Sequence, residues 1–143
     1  IEEKIHYFTS GYPFLVSKIC KIIDETILPN KTKKQWTLAD VEAAVKAITY
    51  EGYTTTLFDS LIKNLENDSE LYKMMFEISI NGLQYNFNIG IPTVYKAFLL
   101  GFIKDKLGIC AIQNRVFEQR LYNHFLSKQA TTKGLLEIEE DLG

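Results

Sequence analysis

The chain is most constrained by a short stretch near its beginning, where a glycine and a proline separate two amphipathic helical patterns. Gly11 and Pro13 lie within the stretch YFTSGYPFLV at residues 7–16. Glycine adopts the left-handed conformation that ends many helices, and proline suits the first turn of a helix. We therefore predict a rigid corner between a helix that ends near residue 9 and a helix from Pro13 to about Leu28. Helix capping alone is enough to explain a bare G-x-P pattern.

The helix that follows has a strong start signal. Thr37 and Asp40 have the spacing of a capping box, and Trp36 is placed to pack against Val41 as a hydrophobic staple. The polar residues 29–34 before it predict a surface loop whose lysines are solvated. The buried face of this helix is predicted to consist of Leu38, Val41, Val45 and Ile48.

The helical pattern breaks at Gly52, and a second subdomain is predicted over residues 53–128. Apolar and polar residues alternate over 83–89, which is typical of a half-buried strand. The predicted elements are a helix over 57–65, a helix over 71–78 that begins at a turn and cap over 67–69, a strand over 83–89, a short helix from Pro92, a hairpin over 102–112 and a last helix capped by Asn114. This order of elements is that of a winged helix-turn-helix.

The fold class is therefore predicted to be mainly α, with a helical subdomain followed by a winged helix-turn-helix that carries a small β-hairpin. At 46% hydrophobic residues, the chain is able to bury a substantial core. Glu137, Glu139, Glu140 and Asp141 predict that residues 129–143 form an acidic linker or tail.

Three stretches, in their order along the chain, resemble the C-terminal part of bacterial ATP-binding proteins that have an AAA-like domain of the signal-transduction (STAND) type. They are residues 7–16, TLFDSLIKNL at 56–65 and NRVFEQRLY at 114–122. The resemblance covers about residues 1–128. It implies a helical lid subdomain over 1–52 and a winged helix over 53–128, and in many members a restriction-endonuclease-like nuclease domain follows.

In that family, the G-x-P corner lies over the nucleotide and helps to report whether it is bound. The resemblance therefore implies that Gly11 and Pro13 form a nucleotide-sensing corner. It also implies a parent protein that uses ATP and Mg, with an N-terminal ATPase core and a C-terminal nuclease domain as partners of this chain. The last helix is expected to be seated by Phe117 and Tyr122, with Glu118 and Arg120 solvated or ion-paired.

The sequence has no phosphate-binding loop of the form G-x-x-x-x-G-K-[ST], and its eight glycines are scattered. ATP hydrolysis by the usual route needs backbone N–H groups and a lysine that converge on the phosphates. We therefore expect this chain to contain no catalytic residues and no cofactor of its own. Because the sequence also begins at Ile1, without a methionine, we expect it to be a fragment of a protein whose catalytic half lies elsewhere.

Charge and cysteine usage argue against strong nucleic-acid binding and against a metal site. The net charge of −2 provides no basic footprint for strong nucleic-acid binding. Cys20 and Cys110 lie far apart, so we expect reduced cysteines and no metal site. His6 and His124 have no nucleophile partner in a known motif and are expected to be ordinary surface or core histidines. The sequence has no membrane-spanning run and no signal-peptide pattern, and we expect a cytoplasmic protein.

A winged helix invites a DNA-binding interpretation, although a fold does not determine a function. The helix that would enter the groove offers Thr93 and Lys96 as base readers, and the hairpin offers Lys104 and Lys106, offset by Asp105. So few phosphate contacts predict weak, salt-sensitive binding.

Three hypotheses follow from the sequence. The first is a non-catalytic regulatory fragment of an AAA-like, STAND-type ATPase, which couples the nucleotide state to domain position. The second is a winged-helix DNA-binding module that delivers an attached nuclease. The third is a protein–protein adaptor domain.

Overall fold

The computed structural model describes residues 1–50 and 56–142, and for residues 50, 56, 57 and 133–142 it describes the backbone alone. The described chain is mainly helical, with one small antiparallel sheet. Its elements are α1 (Glu2–Thr9), α2 (Pro13–Ile22), a π-helical turn (Ile23–Ile27), a 3-10 turn (Leu28–Asn30), α3 (Leu38–Tyr50), α4 (Thr56–Glu66), α5 (Ser69–Ser79), α6 (Pro92–Leu99), β1 (Ile103–Lys106), β2 (Ile109–Ile112) and α7 (Arg115–Leu142).

The helix predicted from Pro13 to about Leu28 is present as a helical run that changes type in its last turns. Regular α-helix ends at Ile22, and the π-helical and 3-10 turns continue to Asn30. Pro29 has no N–H, and its ring conflicts with the carbonyl four residues earlier, so regular α-helix is disfavoured there. The helix that buries Leu15 and Ile19 therefore ends in distorted turns.

The capping box at the start of α3 is confirmed. The Asp40 N–H donates to Thr37 Oγ1 at 3.3 Å, and the Thr37 N–H donates to Asp40 Oδ2 at 2.8 Å. Two helix-terminal donors are thereby satisfied. The prediction of a buried Leu38 is wrong, because this side chain is 54% exposed at the first residue of the helix, whereas Val41, Val45 and Ile48 are buried.

The sequence predicts that the lysines before α3 are solvated, but two of them, Lys31 and Lys34, form hydrogen bonds within the chain. Lys31 Nζ lies 2.7 Å from Asp40 Oδ2 and 2.9 Å from the Gln35 carbonyl oxygen. Lys34 Nζ donates to the Leu28 carbonyl at 2.6 Å. The hydrogen bond from Lys31 is the main reason that the pKa of Asp40 lies below its ordinary value of 3.8. These contacts join the 28–36 loop to the capping box.

The segment predicted as a strand over 83–89 is extended, but it forms only a single bridge, between Asn86 and Ile109. The Phe87 N–H donates to the Gly108 carbonyl and the Cys110 N–H donates to the Tyr85 carbonyl, each at 2.8 Å. The prediction of a regular strand over 83–89 is therefore wrong, since the sheet has two strands and this segment contributes one isolated bridge. Its regular pairing stops there because the chain turns at 89–90 into α6.

The hairpin predicted over 102–112 is confirmed. β1 and β2 pair antiparallel, from Ile103 opposite Ile112 to Lys106 opposite Ile109. Leu107 and Gly108 form the two-residue turn with φ values of 51° and 86°. Positive φ at both positions is the requirement of a type I′ turn, which matches the twist of the strands it joins.

The buried side chains form one continuous core that includes residues from both predicted subdomains. α7 packs against α1, α3, α5 and β2, and its Phe117, Leu121 and Phe125 are buried. The backbone of α7 continues as helix through 129–142, the region expected to be an acidic linker. The boundary predicted at Gly52 falls in 51–55, outside the described residues.

Candidate functional site

The candidate site is the corner between α1 and α2, which the sequence singled out. Gly11 has a φ of 76°, and Pro13 is the first residue of α2, as predicted. Ser10 also has a positive φ, 51°, and its N–H donates to the His6 carbonyl at 2.7 Å. The corner therefore contains two successive left-handed residues, whereas the sequence predicts only the glycine.

A buried threonine fixes the corner from within. Thr9 is fully buried, and its hydroxyl donates to the Ile5 carbonyl at 2.8 Å. The same hydroxyl oxygen accepts a hydrogen bond from the Gly11 N–H at 3.1 Å. One side chain thus joins the last turn of α1 to the glycine. The sequence signal for this link is a threonine two residues before Gly11.

An open cavity of about 630 Å³ lies beside the corner. Its lining is predominantly apolar, with Glu2, His6 and Cys20 as its ionisable side chains. The other lining residues are Ile1, Ile5, Thr9, Gly11, Val16, Cys20 and Trp36. A concave, mainly apolar cavity with a few polar groups is the usual form of a small-ligand site.

The corner also contacts the second half of the chain. Lys104 Nζ, on β1, donates to Ser10 Oγ at 2.9 Å. The ring of Tyr12 meets the ring of Phe117 edge-on, with 5.4 Å between centroids, and Phe117 makes the same type of contact with Phe58 at 5.3 Å. The hairpin and α7 therefore touch the corner directly, and α4 is joined to it through Phe117.

The candidate DNA-contact residues are mostly engaged within the chain. Thr93 Oγ1 donates to Glu70 Oε2 at 3.3 Å, and Lys96 Nζ lies 2.5 Å from Asp68 Oδ2. The hydrogen bond from Lys96 is the main cause of the lowered pKa of Asp68, and Asp68 also caps α5 by accepting from the Leu71 N–H at 3.1 Å, as the predicted turn and cap required.

The two candidate lysines of the hairpin differ. Lys104 lies at the corner, on Ser10, while Lys106 is exposed. The outer side of α6, which a DNA reader would present to the bases, carries instead the exposed side chains of Tyr95, Phe98 and Leu99.

Asn114 caps the last helix, as predicted, by accepting a hydrogen bond from the Phe117 N–H at 2.9 Å. Phe117 is buried, but the prediction that Tyr122 also seats α7 is wrong, since this side chain is 46% exposed. Glu118 is ion-paired with Arg115 at 3.0 Å.

Arg120, which the sequence predicts to be solvated or ion-paired, instead contacts a ring and a backbone carbonyl. Its guanidinium lies 4.7 Å from the centre of the Phe58 ring, and Nη1 donates to the Ile48 carbonyl at 3.4 Å. Burial lowers the pKa of this guanidinium. Arg120 therefore links α7 to the last turns of α3 and to α4. The sequence signal for this role is a spacing: Arg120 follows Phe117 by three residues, which places both side chains on the same side of α7.

The two histidines occupy different settings. His124 Nε2 lies 2.6 Å from Glu66 Oε1, and Lys128 Nζ lies 2.6 Å from Glu66 Oε2. The bond from Lys128, followed by that from His124, lowers the pKa of Glu66. His6 lines the corner cavity. Within residues 1–50 and 56–142, no group of three or more histidine, cysteine or acidic side chains is arranged to hold a metal ion.

No protein-family model matches this sequence, and neither a curated protein nor a solved structure is significantly similar to it. Among the described helices, none combines the length and the apolar character needed to cross a bilayer.

Proposed function

We propose that this chain is a non-catalytic regulatory unit, the helical lid and winged helix of an AAA-like, STAND-type ATPase. In this proposal, the nucleotide state of the ATPase core moves the corner at Gly11 and Pro13, and the corner moves the winged helix. The observation that carries the proposal is that the corner contacts both the hairpin and α7, through the Lys104–Ser10 hydrogen bond and the Tyr12–Phe117 ring contact.

The rigidity of the corner supports this role. Two positive-φ residues, a buried threonine hydroxyl and a proline at the helix start leave the angle between α1 and α2 little freedom. A displacement imposed on one helix is therefore passed on rather than absorbed. Coupling between sites requires such a physical link, since a ligand shifts an equilibrium only through contacts that differ between the two states.

The second half of the chain supports the winged-helix part of the proposal. α4, α5 and α6 are followed by a two-stranded hairpin, with the 83–89 segment bridged to β2 and α7 packed on the sheet. The cavity beside the corner supports the sensing part, because its mainly apolar lining suits a flat, partly apolar ligand such as a nucleotide base. ATP and Mg belong to the parent protein in this proposal.

The experiment uses the parent protein, with hydrogen exchange of the hairpin and of α7 measured with and without Mg-ATP. Pro13→Ala and Gly11→Val should reduce the nucleotide-dependent change in exchange while the hairpin stays folded. Gly82→Val is the matched control, because Gly82 also has a positive φ, 65°, with no neighbouring atom within 4 Å of an added Cβ. It should lower stability and leave the nucleotide response intact.

Two results would contradict the proposal. One is an unchanged nucleotide response in both corner variants. The other is saturable, micromolar binding of Mg-ATP to the 143-residue chain alone by calorimetry, because the proposal assigns phosphate binding to the core. Specific DNA binding that depends on Thr93, Lys96 and the hairpin lysines would favour the DNA-binding alternative.

A further inference from the structure

A smaller cavity lies between α3, α4 and α7 and shares no lining residue with the corner cavity. Its volume is about 230 Å³, which is below the range of about 300–1,000 Å³ typical of sites for drug-sized ligands. The side chains around it are mostly polar. They are Thr49, Ile62, Arg120, Asn123, His124 and Ser127. This size and this lining suit a small, polar ligand.

Helix α7 supplies most of this lining. Its four lining residues follow the spacing i, i+3, i+4 and i+7, which places them on one face of a helix. They are Arg120, Asn123, His124 and Ser127. Arginine, asparagine and serine side chains all carry N–H or O–H donors. This face of α7 therefore brings several hydrogen-bond donors to one cavity, as a ligand rich in acceptors requires.

The guanidinium of Arg120 adds a positive charge at the cavity. Burial lowers its pKa, and the charge of Asp59 raises it. Among the described side chains, no carboxylate lies within ion-pair distance of Arg120. Its described hydrogen bond, to the Ile48 carbonyl, uses Nη1. A half-buried cation without a counter-ion is costly, so this charge would stabilise an anion in the cavity.

Thr49 brings a buried hydroxyl to the cavity from α3. The residue is 3% exposed, and its Oγ1 has no hydrogen-bond partner among the described residues. A buried hydroxyl that is left unsatisfied is destabilising. In helices the threonine side chain populates two χ1 rotamers. The hydroxyl of Thr49 can therefore turn towards a ligand without breaking a hydrogen bond.

Glu66 contacts the lining through His124, but other groups offset its negative charge. His124 Nε2 lies 2.6 Å from Glu66 Oε1, and Lys128 Nζ lies 2.6 Å from Glu66 Oε2. The hydrogen bond from Lys128, followed by that from His124, lowers the pKa of Glu66. The positive charge of Arg120 therefore stays available to a ligand.

The geometry points to a binding site for a small tetrahedral oxyanion, such as phosphate, in the cavity between α3, α4 and α7. Arg120 supplies the charge and a planar fork of donors that matches two oxygens of a phosphate. Thr49, Asn123 and Ser127 supply neutral donors from the same lining. This site goes beyond the proposed regulatory role and uses none of the corner residues.

The test is a titration of inorganic phosphate into the isotope-labelled 143-residue chain at constant ionic strength, followed by NMR. The sequence contains two arginines, Arg115 and Arg120. The Nε–H signal of Arg120 should shift saturably, with a Kd on the order of 1 mM. The signal of Arg115, which is paired with Glu118, should shift little. This affinity is far weaker than the micromolar Mg-ATP binding that would contradict the regulatory role, so each proposal fails on its own result.

Two variants test the donors without removing Arg120, which also supports the fold. Thr49→Val should weaken phosphate binding about tenfold, because it removes a hydrogen bond to a charged ligand, and its unfolding midpoint should stay the same or rise, because an unsatisfied hydroxyl is lost. Asn123→Asp should weaken binding at least about tenfold, because it places a negative charge at the cavity. The matched control is Asn64→Asp, which makes the same change two residues after Ile62, on another side of α4. This control should alter the Kd less than about twofold.

Glycerol phosphate is titrated beside inorganic phosphate to separate two sources of the same chemistry. Tighter binding of inorganic phosphate supports a site for the free ion, and tighter binding of glycerol phosphate supports a site for a phosphate ester. The proposal is overturned if Arg120 shows no saturable shift up to about 50 mM phosphate, or if Arg115 shifts equally. It is also overturned if Thr49→Val binds phosphate as tightly as the unmodified chain, or if Asn64→Asp weakens binding as much as Asn123→Asp.

Discussion

Replacing Gly11 with alanine should destabilise the chain through its backbone alone. An alanine Cβ at this position would lie 3.7 Å from the ring of His6, an ordinary contact that requires no movement. The free energy of unfolding falls because of the φ of 76°, since a left-handed backbone penalises an L side chain by about 1–2 kcal/mol. Alanine also restricts the unfolded chain, which returns about 0.4–1 kcal/mol. The net loss should be about 1 kcal/mol, equivalent to a fall in Tm of roughly 2–4 °C for a chain of this size.

The assay is urea unfolding followed by tryptophan fluorescence. Trp36 is the single tryptophan of the sequence and lines the same cavity as Gly11, so it reports on the corner. The midpoint should fall while the slope stays the same, because the surface exposed on unfolding does not change. Gly11→Asn should cost less, since asparagine tolerates the left-handed region better than other side chains.

Gly82→Ala provides the comparison at a second left-handed glycine. Its φ is 65° and its surroundings are open, so its cost should be close to that of Gly11→Ala. An unchanged or higher midpoint for Gly11→Ala would refute the argument that the corner depends on a left-handed glycine. A fall far greater than that of Gly82→Ala would mean that contacts of the corner, and not its φ, limit the position.

Three further predictions concern the electrostatic contacts. The pKa of Asp40 is lowered in the fold by Lys31, so the contribution of this carboxylate to stability is present above pH 3.8 and is lost as the pH falls below that value. When urea midpoints are measured at decreasing pH, they should therefore fall less steeply for Asp40→Asn than for the unmodified chain. Arg120→Met should cost about 1–2 kcal/mol in urea unfolding, because it removes the cation–π contact with Phe58 and a hydrogen bond to a backbone carbonyl; the exposed ion pair of Arg115 should contribute far less, at most about 1 kcal/mol. Alanine at all three candidate DNA-contact lysines should remove only weak, salt-dependent duplex binding in fluorescence anisotropy, and loss of a specific, saturable affinity would contradict this.

The features that the sequence predicted well depend on neighbours in the chain. The capping box of Thr37 and Asp40 needs two residues three positions apart, and the structure contains both of its hydrogen bonds. The corner at Gly11 and Pro13 and the hairpin over 102–112 are similarly local, because a positive φ or a fixed proline ring acts on its own backbone. Each of these signals acts on the backbone of its own or neighbouring residues, so the sequence is enough to predict it.

The features that the sequence missed depend on residues far apart in the chain. Nothing near Ser10 indicates that its hydroxyl accepts from Lys104, ninety-four positions later. The apolar residues of α6 fit a helical period on two faces, and periodicity alone does not tell which face the core covers. The same reasoning predicts a buried Leu38, but Leu38 is the first residue of α3 and its side chain is 54% exposed.

The same long-range contacts bear on the choice between a regulator and a DNA reader. A DNA-binding winged helix keeps its basic side chains free for phosphates. Here Lys96 is used to neutralise the acid that caps α5, and Lys104 is used to hold the corner. Releasing either lysine for DNA would leave Asp68 without its cation or Ser10 without its donor, so binding would compete with internal contacts. In the proposed regulatory role, Lys96 and Lys104 therefore serve contacts within the chain.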